Sequence, residues 1–326
     1  MILAGDIGGT KTNLAYFTLE ANSLVPKIIK SYPSQQHRFL EEIVQQFVHE
    51  QPAEITHAAF GIAGPVVDGR SKLTNLGWEV DGSNLATLLH LNAVGLLNDL
   101  EATSYGTLRL DEKQKFVLNQ RTPQKRGAIA VIAAGTGLGE GGLIWDGKRY
   151  RTLPSEGGHS DFAPRNEPEM DLLRFLLTKY DRVSYERVLS GPGIANLYEF
   201  FRSRATYPEP AWLQKQIASG DPSAAVSQAG VEEKDRVCVQ TLELFVSLYG
   251  AEAGNLALKL LATGGVYVGG GIAPKILSKI QQGSFLDSFI RKGRYTDFLK
   301  KLPVNVILND KTALLGAAHY ALVMDE

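Results

Sequence analysis

The chain has 326 residues, enough for two domains or one large one with an extensive core. Apolar residues make up 44% and charged residues 21%, which excludes a disordered, collagen-like or disulfide-scaffold protein. The 34 basic residues nearly cancel the 35 acidic ones and form no basic run, which argues against a nucleic-acid partner.

The amino terminus, MILAGDIGG, lacks the basic start and long apolar stretch of a signal peptide. ILAG reads as a strand, DIGGTKT as a tight loop, and NLAYFTL as a second strand. Apolar residues at helical spacing (Phe39, Leu40, Ile43, Val44, Phe47) predict a helix over 36–50. HAAFGIAG reads as a buried strand, and a strand over 93–97 ends at Asn98 and Asp99. A helix over 100–107 follows, with Asp99 as its expected cap, then charged, loop-like sequence through Arg126, where a domain change is plausible.

GAIAVIAA forms the next strand, GTGLGEG a loop, and GLIWDGKRY a strand, turn and strand with Asp146-Gly147 as the hairpin signal. This repeats the opening pattern. Helices are expected over 170–180, 193–204 and 232–262, with strands at GVYVGGG and VNVIL and an amphipathic terminal helix in DKTALLGAAHYAL. The most apolar stretch, 241–268, is interrupted by Glu252, Asn255 and Lys259, so a membrane span is not expected. The single cysteine, Cys238, allows neither an internal disulfide nor a thiolate zinc site, and a reducing cytoplasm fits. Strands alternating with helices give an α/β class. Two similar glycine hairpins in separate halves suggest a duplicated architecture with a cleft between the halves.

The first glycine loop (Gly5, Asp6, Ile7, Gly8, Gly9, Thr10, Lys11, Thr12) nearly matches a P-loop, but Thr10 stands where a glycine is required and a strand follows instead of a helix. The second contains G-x-G-x-x-G at Gly137, Gly139 and Gly142, yet a hairpin follows, which discounts a dinucleotide site. What remains are loops whose exposed N–H groups form anion nests, with the hydroxyls of Thr10, Thr12 and Thr136 as supplements. Gly135, Thr136 and Gly137 are thus phosphate-binding candidates. A third cluster, Gly269, Gly270 and Gly271, precedes a helix expected near Ala273 and Pro274 and would let adenine or ribose approach the backbone. Asp6 among these loops would repel ATP unless it positions Mg2+, directly or through water. Lys11 either touches phosphate or projects into solvent.

The ordered motifs GDIGGTKT, LLNDLEA, AAGTGLGEGGL, SEGGH and VGGGIAP resemble the bacterial glucokinase family, within the sugar kinase, Hsp70 and actin superfamily. The resemblance implies two ribonuclease-H-like (actin-like ATPase) α/β domains flanking a cleft that closes on ATP and sugar. It implies a small domain of residues 1–108 plus 305–326, and a large domain of 109–304.

A carboxylate at a strand end, as at Asp99, suits a general base for a sugar hydroxyl attacking phosphorus, and helix capping is its structural alternative. Glu156, His159 and Glu186 supply acceptors and a switchable donor suited to vicinal hydroxyls, although a surface carboxylate or a structural histidine is the commoner case. The resemblance assigns these three, with Asn98 and Asp99, to sugar binding, and adds Asn75. Glu156 and His159 do not form a zinc-protease motif, because the second histidine is missing and Gly157-Gly158 disfavours a helix. The related repressor and kinase family carries a cysteine-rich zinc motif that is absent after His159, and no helix-turn-helix precedes the first strand.

The expected activity is therefore transfer of phosphate from Mg-ATP to the 6-hydroxyl of glucose. The alternatives are a kinase for another hexose or amino sugar, a non-catalytic sugar or nucleotide sensor, an actin-like or Hsp70-like ATPase, or a polyphosphate donor. A cytoplasmic homodimer with no nucleic-acid or membrane partner completes the expectation.

Overall fold

The computed structural model describes residues 1–324; residues 325 and 326, included in the small domain expected above, lie outside them. The chain divides into two compact units, one formed by Met1–Gln114 together with the chain from Asn309 onward, the other by Lys115–Leu308.

The first unit opens with β1 (Ile2–Ile7), β2 (Lys11–Glu20) and β3 (Ser23–Pro33), a meander in which each strand pairs antiparallel with the next. Helix α1 (Leu40–Glu50) buries Leu40, Ile43, Val44 and Phe47, the periodic residues singled out above, and Phe39 lies just before the helix and is exposed. Strand β4 (His57–Ile62) pairs parallel with β1. A small meander of β5 (Val66–Val67), β6 (Arg70–Leu73) and β7 (Trp78–Asp81) leads through α2 (Gly82–Leu89) to β8 (Gly95–Asn98), and α3 (Asp99–Thr107) follows. The main sheet has the order β3-β2-β1-β4-β8.

The second unit begins with β9 (Lys115–Asn119), where loop was expected. Its residues are all half-buried, so no clean alternation marks it, and it is held by antiparallel pairing to a strand far along the chain. Then come β10 (Ile129–Ala134), β11 (Leu138–Trp145), β12 (Tyr150–Leu153), α4 (Glu167–Leu176), α5 (Gly191–Arg202), α6 (Ala211–Ser219), α7 (Pro222–Val231) and α8 (Arg236–Leu260). The helix expected over 232–262 starts later because Asp235 caps it through the N–H of Cys238. Strand β13 (Gly265–Gly269) follows α8, and short helices α9 (Leu277–Ile280), α10 (Ser284–Ile290) and α11 (Thr296–Leu299) precede β14 (Val304–Ile307). Turns occupy 270–276, so the helix expected near Ala273 is absent there and Pro274 sits in a turn.

The second sheet has the order β12-β11-β10-β13-β14-β9. Without β9 it repeats the first: an antiparallel three-stranded meander, then two strands added in parallel. That is the ribonuclease-H-like arrangement, present twice. Because β14 pairs with β13 inside the second sheet, residues 305–308 belong to the second unit, while 109–114 belong to the first.

The terminal helix α12 (Thr312–Val323) returns to the first unit. Alternation along the strands sends Leu3, Ile7, Leu14 and Tyr16 to the face covered by α1, and Ile2, Ala4, Ala15 and Phe17 to the face covered by α12. The amphipathic character expected of this helix is not realised, for none of its residues is exposed. Gly316 lies so close to α3 that a Cβ would stand 1.7 Å from the Ala102 carbonyl oxygen. Among the described residues no helix is long and apolar enough to cross a membrane.

Candidate active site

In the first unit, β1 and β2 turn tightly at residues 8–10, closed by a hydrogen bond from Gly8 N to the Lys11 carbonyl at 3.0 Å. Ser34 locks the turn from behind. Its N–H donates to the Thr10 carbonyl, its hydroxyl donates to the Gly8 carbonyl at 2.8 Å, and the same hydroxyl lies 3.0 Å from the Thr12 hydroxyl. Thr12 is fully buried by this arrangement, so the expectation of a phosphate-binding hydroxyl there is corrected: its oxygen is committed inside the fold. Gly5 is corrected likewise. It lies within β1, paired on both sides, and a Cβ there would meet the Phe60 ring at 2.2 Å, so it is a packing glycine. The Ile7 side chain is buried too, and only the backbone of this residue could serve a ligand. Thr10 and Lys11 are exposed, and the Asn75 side chain stands beside Gly9.

Asp6 is half-buried on β1 and accepts a hydrogen bond from Asn13 Nδ2 at 3.2 Å. Burial pushes its pKa above the ordinary carboxylate value, against the Asn13 bond and the charges of Lys311 and Lys11. Among the described residues no three His, Cys, Asp or Glu side chains cluster to hold a metal unaided. A lone hard carboxylate oxygen fits Mg2+, which keeps most of its waters and binds through substrate phosphates.

The turn from β8 into α3 carries Asn98 and Asp99. The cap of α3 is Asn98 and not Asp99: its Oδ1 accepts from Leu100 N at 2.9 Å, its Nδ2 donates to the Gly64 carbonyl at 3.0 Å, and Glu101 completes a capping box. One Asn98 amide proton is thereby left over for another partner. Asp99 is the first residue of the helix and exposed, with Oδ1 2.8 Å from Leu100 N.

In the second unit the loop expected over GTGLGEG is short. β11 starts at Leu138, leaving Gly135, Thr136 and Gly137 as the turn, closed by Gly135 N to the Gly137 carbonyl at 2.8 Å. Nothing stands within 4 Å of a Cβ built on Gly135 or Gly271, so both backbones are open to a ligand. Gly270 is confined to glycine by φ of +80° and by the Ala134 carbonyl oxygen, 2.1 Å from where a Cβ would lie.

These loops border a cavity of about 990 Å³. The start of α5 (Gly191, Pro192, Ile194), the start of α7 (Asp221–Ala224) and the turn carrying Ile272, Lys275 and Ile276 complete its wall. Sequence reading missed that wall. The available signals were two Pro-containing helix starts, Ser190 capping through Gly193 N and Asp221 capping through Ser223 N. Tyr249 was also missed. Its buried hydroxyl accepts from Ala134 N and donates to the Gly269 carbonyl, both at 3.0 Å, tying together the strand ends from which two of the glycine loops emerge.

Glu156, His159 and Glu186 come together in this unit. His159 Nε2 lies 4.0 Å from Glu156 Oε2, and its Nδ1 lies 3.9 Å from Glu186 Oε1. All three stay accessible, with side-chain exposures of 80, 54 and 31% for Glu156, His159 and Glu186. Glu186 Oε2 also accepts from Leu138 N at 3.0 Å, so the same carboxylate that faces the histidine braces the loop of Gly135–137.

A protein-family model described as Glucokinase matches residues 3–324. The chain belongs to the glucokinase family. It is 47% identical to a glucokinase of Nostoc punctiforme over 333 residues, covering 98% of each chain. The crystal structure of a glucokinase from an Antarctic psychrotroph superposes with a TM-score of 0.88 at 30% identity, covering 98% of both chains. A glucokinase of the ROK family from Streptomyces griseus, solved in complex with glucose and AMPPNP, shares the fold at 21% identity with a TM-score of 0.66, covering 98% of this chain and 99% of that one. The two repeated sheets are thus the actin-like ATPase fold of the sugar kinases, and the glucokinase family membership spans both units.

Proposed function

We propose that this chain transfers the γ-phosphoryl group of ATP to the 6-hydroxyl of D-glucose. The observation that carries the reading is the Glu186 carboxylate, which faces His159 with one oxygen and braces the loop of Gly135–137 with the other. Sugar recognition and phosphate positioning then share a group, as phosphoryl transfer by alignment requires. Family membership, the relatives named glucokinase and the AMPPNP-bound neighbour support the same assignment.

In this reading Asp99 accepts the proton of the 6-hydroxyl as it attacks phosphorus, and Asn98, Glu156, His159 and Glu186, with Asn75 as a further contact, bind the sugar hydroxyls. The backbone N–H groups of Gly9, Thr136 and Gly137 bind phosphates, those of Gly8 and Gly135 being held by the closing bonds of their own turns, with Thr10 and Lys11 beside them, and the wall of α5, α7 and residues 270–276 receives the nucleoside. Asp6 would hold Mg2+, directly or through water, and the ion would supply neutralisation of the phosphate charge. Action in the cytoplasm as a homodimer belongs to the same reading, and light scattering in solution checks the dimer.

The test is a coupled kinase assay with Mg-ATP against glucose, mannose, fructose, N-acetylglucosamine and no sugar. Turnover should select glucose, and Asp99→Asn should lower kcat by roughly 10²–10⁴-fold with the KM for ATP little changed. Sugar-independent ATP hydrolysis, or full turnover by Asp99→Asn, overturns the assignment.

A further inference from the structure

β11 carries an acid that this mechanism does not use. Glu140 is 1% exposed, and neither carboxyl oxygen has a hydrogen-bond partner among the described residues. A buried carboxylate in that state forfeits its hydration without compensation. The groups facing it make ionisation harder. From α8, Glu252 is fully buried and adds a second negative charge, Lys259 opposes it, and the Tyr249 phenol lies nearby; from the 185–187 turn comes the Tyr185 phenol. Glu252 already holds Lys259 Nζ at 3.2 Å and Asn255 Nδ2 at 2.7 Å, so the local cation and amide serve Glu252 and not Glu140. Burial first, and Glu252 second, push the Glu140 pKa up to about 7.

The other neighbour of Glu140 is the turn that carries the proposed sugar ligands. A Cβ built on Gly157 would lie 2.6 Å from Glu140 Oε2 and 3.1 Å from its Cβ, and one on Gly158 would lie 2.0 Å from the Leu138 carbonyl oxygen. The glycine pair of SEGGH therefore rests directly on β11 with no side chain between, and the Glu140 carboxyl is part of its floor. Glu156 and His159 flank that pair on either side.

We infer that Glu140 is a positioning residue for glucose: uncharged, its carboxyl lets the 157–159 turn lie flat on β11 and present Glu156 and His159, and on losing its proton it displaces the turn and weakens sugar binding. The anion has no hydrogen-bond partner among the described residues and can gain one, or water, only if the covering backbone moves. The inference rests on the proposed role of Glu156 and His159. It gives the enzyme an alkaline limit set by sugar affinity and independent of the proton taken up by Asp99.

If the neutral form alone binds sugar, apparent affinity scales with its population, which falls to about a tenth at one pH unit above the midpoint. The experiment compares wild type, Glu140→Gln and Glu140→Met by initial rates at saturating Mg-ATP between pH 6 and pH 8.5. Both variants are permanently uncharged, so the ratio of variant to wild-type KM for glucose should fall about tenfold from pH 6 to pH 8, while the corresponding kcat ratio stays flat. Identical KM profiles in wild type and variants overturn the inference. A measurement on the wild type alone stands beside this one should the variants not fold: the infrared carbonyl band of the protonated acid, followed with pH, should disappear at a higher pH when glucose is bound, because coupling between two ligands is reciprocal. A midpoint unmoved by glucose overturns it equally. Absence of any turnover on glucose instead refutes the functional reading on which the inference rests.

Discussion

The two glycine turns occupy equivalent places in two sheets of the same order, yet their chemistry differs. The turn at 8–10 is locked by Ser34, which engages Gly8, Thr10 and Thr12 at once. The turn at 135–137 has open space above Gly135 and borders a large cavity, and its bracing comes from groups set back from the opening, Tyr249 and Glu186. One topology thus yields a turn locked from behind through its carbonyls and another that opens directly on a cavity. The difference lies in which polar groups the neighbouring side chains take.

The largest expected effect sets Gly270→Ala, packed against the Ala134 backbone at the base of the open turn, beside Gly8→Ala in the locked one. Alanine at 270 meets both a disfavoured φ and the Ala134 carbonyl, and should destabilise the second unit by roughly 2–6 kcal/mol in chemical denaturation. At Gly8 φ is ordinary and the nearest atom to a Cβ is the Lys11 carbonyl at 3.0 Å, so the loss should be clearly smaller. Equal losses would break the comparison.

A second test separates the threonines. Thr12→Val removes the buried partner of Ser34 and should cost about 1–3 kcal/mol of stability with the KM for ATP within twofold of wild type. Thr136→Val, at the cavity rim, should raise the KM for ATP several-fold with little change in thermal midpoint. A Thr12→Val enzyme of normal stability with weakened ATP binding would reverse the assignment.

The smallest effects are opposite pH dependences. In the first unit His319 accepts from Arg109 Nε at 3.1 Å, and burial, then the Arg109 charge, hold its pKa down to about 4. The unfolded chain takes up that proton first, so the His319 contribution to stability is lost as pH falls from about 6.5 to about 4. Glu140 in the second unit is the reverse: the fold holds its proton longer, and stability is lost as pH rises from about 4.5 to about 7. Glu140→Gln should flatten the upper limb of a plot of melting temperature against pH and leave the acid limb in place.

The glycine hairpins and their flanking strands were legible because both signals, alternation and turn residues, lie within a few neighbouring positions. The errors came from partners distant in sequence. Thr12 looks like a loop hydroxyl until Ser34, on the connection that follows β3, is placed against it. Strand β9 exists only through its pairing with β14, and α12 has no fully exposed residue because α3 covers what would have been its solvent face. The acids of the site were legible as types, and their grouping was not: Glu186 reaches His159 only because the Asp161–Ser184 bridge and the Tyr185 N–H to Ser160 carbonyl bond draw the two turns together.

The route of the chain also sets an order of assembly. The second unit is one unbroken stretch and can close its core as soon as it has been synthesised. The first unit cannot, because the strand face of Ile2, Ala4, Ala15, Phe17 and Ala59 finds its cover in α12, which begins about 200 residues after the unit's first segment is complete. At ribosomal rates of about 5–20 residues per second, that apolar face waits on the order of 10–40 s. The half of the molecule made first is therefore finished last, and during that interval it is the natural client of a chaperone.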